Sequence, residues 1–188
     1  MFGFSIKEKD AKKLYEGINL LLHGLSLRGA INHNKLPSVI WTDAYIQGFF
    51  MSLVTNTREF MRTGQLMSQP TEEDRVVIEE VFDSYLCPDE HGEIKKALKN
   101  CRTGNISEGW SLDEYQLASN HAINVILLTH NKLAPEFHNE EEIILAKKLA
   151  KDNISLTTVI RYEGDENDLI AMWLMILYLE NRIADLMK

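Results

Sequence analysis

Little in this chain of 188 residues invites a covalent or fibrous explanation. Two cysteines are too few for a disulfide scaffold, and Cys87 and Cys101 read as reduced thiols. Ten glycines and four prolines exclude collagen-like and low-complexity chains. The longest unbroken apolar run, residues 169–179, holds eleven residues, well short of the roughly 20 that cross a bilayer. No membrane span is therefore expected. Nothing at Met1 resembles a cleavable signal segment, so the expected compartment is the cytoplasm.

Basic charge is also scarce. The chain carries 20 Lys and Arg against 28 Asp and Glu, a formal net charge of -8. Residues 1–70 hold eight bases and five acids, so the excess of acid lies in the remainder of the chain. An acidic surface repels a phosphate backbone, which argues against general nucleic-acid binding.

The signal that is present is helical. With 45 % hydrophobic residues the chain can bury a core, and its apolar residues recur at helical spacing while alternating strand patterns hardly occur. Leu14, Ile18, Leu21, Leu22 and Leu25 form one stripe of a first helix over 7–27. A second helix spans 38–62 and is apolar on more than one side, from Ile40 and Trp41 to Leu53 and Val54. Thr71 caps a third helix that ends before Pro88, and Glu72, Glu73 and Asp74 sit at the positive end of its dipole. A fourth helix, 89–101, runs from acids to bases, and a loop at 103–110 could divide the chain into two halves.

Ser111-Leu-Asp-Glu114 is a capping-box pattern that starts a fifth helix to about Lys132. Asn139 opens a sixth, which closes on Lys147, Lys148 and Lys151. The stretch 154–162 is read as a short helix, because a lone strand would have no partner. Asp165 and Asp168 cap the last helix, which carries the eleven-residue apolar run. The expectation is an all-α, single-domain helical bundle, residues 1–188, of about seven helices packed around the second, fifth and last. A helix apolar on all sides must be covered by its own chain or by a second copy, so a homo-oligomer through 169–187 is a second expectation.

Chemistry is hard to find. The six His residues, at 23, 33, 91, 121, 130 and 138, are never three or four apart, and there is no Cys-x-x-Cys. Cys87, His91 and Cys101 lack a fourth ligand, and no metal or cofactor is expected. Phosphate cradles and nucleophile elbows are missing. His121 and His130 read as satisfied histidines at the edges of an apolar helix, and Trp110 as a loop anchor. Glu79, Glu80 and Asp83 lie within about one turn and could hold magnesium as in all-helical pyrophosphatases, but the second acidic cluster this needs is not evident, since Glu140 to Glu142 sit in an ordinary N-terminal dipole position.

Arg28-Gly-Ala-Ile-Asn-His33 resembles the Arg-x4-6-His signature of HEPN-type ribonucleases. The resemblance implies a dimer in which His33 acts as acid or base and Arg28 stabilises the phosphorane charge. It departs from that family in having Gly29 where a polar residue is usual, and in lying early in the chain. The competing expectation is that Arg28 caps the end of the first helix while His33 sits in a loop.

The uncommon feature is acidic. Residues 72–93 contain nine acids and one base, Arg75. On the third helix Ile78, Val81, Phe82 and Tyr85 face one side, and Glu72, Glu73, Glu79, Glu80 and Asp83 gather on the other. None of those five has a Lys or Arg four residues later, and Glu79 faces Asp83 at i+4, a like-charge pair. The expected function is a non-catalytic protein-interaction or regulatory domain that presents these five residues to a partner protein with a basic surface. The alternative is a small helical hydrolase acting on RNA or nucleotides.

Overall fold

The computed structural model describes residues 6–28, 38–66, 69–86, 111–130, 140–153 and 166–188. Every regular element among them is a helix, and no strand occurs. The architecture is the all-α bundle that the sequence pattern calls for. Helix 89–101, the loop at 103–110 and the stretch 154–162 lie outside the described residues.

Helix α1 (Ile6–Leu27) buries Ala11, Leu14, Ile18, Leu21, Leu22 and Leu25 and leaves Lys9, Lys12 and Lys13 in solvent. The second expected helix divides in two. Ser38–Thr42 form a 3-10 turn, and α2 (Ala44–Thr63) starts only after Asp43. Asp43 takes an extended backbone, φ -86 and ψ 128, and its carboxylate accepts the Ile46 amide at 3.0 Å. A carboxylate that caps a helix cannot also sit inside one, which is why the chain breaks there. Gly64 ends α2 with φ 69, donating its amide to the Phe60 carbonyl at 2.8 Å.

Helix α3 (Glu72–Val81) starts on Thr71 as expected, through a full capping box with Asp74, and widens into a π-turn over Phe82–Leu86. Pro88 follows closely in sequence, and the residue before a proline resists the helical conformation. The remaining helices among the described residues are α4 (Leu112–Thr129), α5 (Glu140–Asp152) and α6 (Glu166–Leu186).

Helices α2 and α4 share the most extensive contact, while α6 lies against α4, α5 and α1, and α3 against α1 and α2. The helices whose apolar pattern marks them as central are α2, α4 and α6: Ala122–Leu128 of α4 and Leu169–Ile176 of α6 are buried at every position. One apolar cluster joins residues of all six helices, with Phe49, Phe50 and Phe82 among its largest members. Each such side chain contributes roughly 1.5–3 kcal/mol on burial. Gly48 lets α2 and α4 approach until a methyl group at that position would collide with the Tyr115 carbonyl. Because α1, α4 and α5 cover the apolar length of α6, its run from Leu169 is accounted for within one chain. The burial of Leu169–Ile176 within one chain therefore requires no second copy.

No helix among the described residues is long and apolar enough to cross a membrane.

Candidate functional site

The structure sorts the acids of α3 by position. Glu72, Glu73 and Glu79 are exposed, whereas Glu80 and Asp83 are half-buried. Val76 stands between them, 37 % exposed. It is four residues after Glu72, three after Glu73 and three before Glu79, so all three acids surround it on the outer face of the helix. Neutralisation comes from two directions. Arg75 reaches Glu72 at 3.4 Å along the helix, and Lys7 reaches Glu80 at 2.9 Å from α1, a cross-helix contact that local spacing does not reveal.

Asp74 belongs to a different structure. It is 1 % exposed and holds α3 to α2, accepting from Arg58 at 3.0 Å while Arg62 approaches at 3.2 Å. Burial alone would raise its pKa, but hydrogen bonds from Thr71 and the two guanidinium groups outweigh that and keep the carboxyl below its usual value. Arg58 also reaches Asp10 of α1, and Arg62 bonds buried Glu59 at 2.7 Å. The acidic helix is therefore fixed at its start by buried ion pairs, and its outer acids are presented on a rigid element.

A second polar cluster lies where α2, α4, α5 and α6 meet. The Tyr45 hydroxyl and Nδ1 of His121 share a hydrogen bond of 2.6 Å, and the Tyr178 hydroxyl donates to Glu142 at 2.8 Å. The His121 and Tyr178 rings are stacked. Burial pushes both tyrosine pKa values up, and for Tyr178 the hydrogen bond to Glu142 adds to it. Burial pushes His121 down. Two protonated phenols and a neutral imidazole thus occupy the junction. Beside them Arg182 bonds both Asp43 oxygens, Oδ2 at 2.7 Å and Oδ1 at 2.9 Å, and Glu114 at 2.6 Å, with its guanidinium 5.1 Å from the Tyr45 ring centroid. The cluster ties four helices together through specific polar contacts. His121 is indeed a satisfied histidine at a helix edge, but its partners come from other helices. Ser111 caps α4 as expected, and the Glu114 carboxylate of that pattern is taken by Arg182.

Of Arg28 and His33, only Arg28 lies among the described residues. Arg28 forms a two-pronged pair with Glu180 of α6, at 3.0 and 3.3 Å. Its amide bonds the Gly24 carbonyl, so it does close the end of α1. His33, Cys87, His91, Cys101 and Trp110 lie outside the described residues. Among the described residues no three His, Cys, Asp or Glu side chains are placed to hold one metal ion, and this includes Glu79, Glu80 and Asp83.

No protein-family model matches the chain, and comparison with curated proteins and with solved structures returns no match.

Proposed function

We propose that the chain is a non-catalytic interaction or regulatory domain of the cytoplasm whose outer α3 face, built from Glu72, Glu73, Glu79, Glu80 and Asp83, docks a partner protein with a basic surface. The observation that carries this reading is the ring of exposed carboxylates around half-exposed Val76. Protein interfaces commonly place an apolar contact inside a polar rim, and rim charges steer encounter more than they add affinity. The ion pairs of Asp74 behind this face favour the same reading, since a rigid helix loses little freedom on docking.

The test replaces Glu72, Glu73 and Glu79 together by Lys. All three side chains are exposed, so each change should alter stability by less than about 0.5 kcal/mol. Immobilised wild-type chain should retain a basic protein at low salt and release it as salt rises. The triple variant should retain the fold by circular dichroism and lose the partner. Equal retention by both chains would remove the α3 face from consideration.

A further inference from the structure

A cavity of about 290 Å³ opens between α1, α2, α4 and the start of α6. Ile18, Leu21, Met61 and Ile126 form its apolar wall. Glu16 and Asp168 bring carboxylates, and His130, Thr57 and Thr129 bring further polar atoms. None of the described residues lining it is Lys or Arg. This site is separate from the α3 face and does not depend on the docking reading.

We propose that the cavity binds a small amphipathic organic cation, such as an alkylammonium, with its hydrocarbon part against the apolar wall and its charge toward Glu16 and Asp168. Carboxylates only accept hydrogen bonds when ionised, and an ammonium only donates, so the two are complementary. His130 Nδ1 lies 2.9 Å from the Ile126 carbonyl, an atom that can only accept, so Nδ1 donates there. The ring is held in place against Phe60, with centroids 3.8 Å apart.

An organic cation fits these residues better than a metal ion. Among the described residues no three His, Cys, Asp or Glu side chains close on one point to hold a metal ion. Lys12 comes no nearer to Glu16 than 3.8 Å, with both side chains more than 60 % exposed, and so leaves the carboxylate its attraction for a ligand. The volume sits at the lower end of the range of about 300–1,000 Å³ found for ligand pockets, which limits the occupant to a small molecule.

The experiment titrates the whole chain with hexylammonium, hexanol and hexanoate, reading amide chemical shifts by two-dimensional NMR. Hexylammonium should saturate, with its largest shifts at residues 16–21, 57–61 and 126–130. Hexanol should bind at least roughly fivefold more weakly and hexanoate not at all, as expected when a charge-assisted contact is removed. Glu16→Gln and Asp168→Asn should each weaken hexylammonium, and Met61→Trp, which fills the cavity from an exposed position, should abolish its binding. If Asp168→Asn does not fold, the Glu16 and Met61 variants decide. Equal binding of the alcohol and the amine, shifts centred elsewhere, or binding that survives Met61→Trp would each overturn the proposal.

Discussion

The imidazole of His121 lies flat on the ring of Tyr178, with centroids 4.1 Å apart and planes within 1° of parallel. One residue comes from α4 and the other from α6, and the stack is closed by Tyr45 from α2 and Glu142 from α5. A neutral, desolvated histidine at a junction of four helices makes the junction sensitive to acid.

The sign follows from the direction of the shift. Burial lowers the His121 pKa below its ordinary 6.5, against a smaller opposing pull from Glu142. The folded state then binds fewer protons than the unfolded state, so the contribution of His121 is complete above about pH 6.5 and is lost as pH falls toward the lower folded value. Tyr45, Tyr178 and Arg182 do not titrate in that window. His121→Phe keeps an aromatic ring on Tyr178 but takes no proton. Melting temperatures between pH 8 and pH 5 should fall more steeply for the wild type than for this variant; parallel curves would show that His121 is not the responsive group.

Glycine at two positions gives opposite expectations. A methyl group at Gly48 would run into the Tyr115 backbone, while at Gly17 it would meet nothing within 4 Å. Gly48→Ala should destabilise by about 1–3 kcal/mol or more, since backbone yields less readily than a side chain. Gly17→Ala should stabilise by about 0.5–1 kcal/mol, because Ala is the better residue in an open helix interior. Urea denaturation of the two variants checks both, and a stabilising Gly48→Ala would mean that α2 and α4 are farther apart than described.

The carboxylates that share Arg182 differ in burial. The Asp43 side chain is 11 % exposed and that of Glu114 is 44 %. Asp43 also caps α2, so Asp43→Ala removes a cap and a buried partner together, at a cost of about 2–3 kcal/mol. Glu114→Ala breaks a solvated pair and should cost less than about 1 kcal/mol. Arg182→Met should fall between them, because it strands Asp43 while the Ile46 amide still bonds it. Chemical denaturation gives the order directly, and a larger effect at Glu114 than at Asp43 would contradict it.

Much of this arrangement is legible from local sequence, and the rest is not for identifiable reasons. The stripe from Leu14 to Leu25 and the Thr71–Asp74 cap depend on residues three or four apart, which is the range over which one helix reports on itself. The break at Asp43 escapes a reading based on periodicity, because the apolar residues on either side keep helical spacing across it. Its guanidinium partner lies 139 residues away. His121 meets Tyr45 across 76 residues, and no spacing rule addresses such a pair. Lys7 and Glu80 are a similar case, and their ion pair means that Glu80 contributes less to the outer charge of α3 than its place in the sequence suggests.

Asp74 offers the sharpest test of how α3 is held. Its carboxylate accepts from the Thr71 amide at 3.0 Å and from the Thr71 hydroxyl at 2.6 Å, besides the two guanidinium groups. Asp74→Asn preserves the shape but removes the charge, and should cost about 2–3 kcal/mol at pH 7. The pH dependence separates charge from shape. Burial pushes the Asp74 pKa up, but its partners hold it below the ordinary 3.8, so its contribution is complete above that value and disappears as pH falls through the lower folded value. The difference in melting temperature between wild type and Asp74→Asn should therefore be widest near neutral pH and narrow steadily below about pH 4. A difference that stays constant down to pH 2.5 would place the cost in packing, and the start of α3 would then be held by its cap and its apolar face alone.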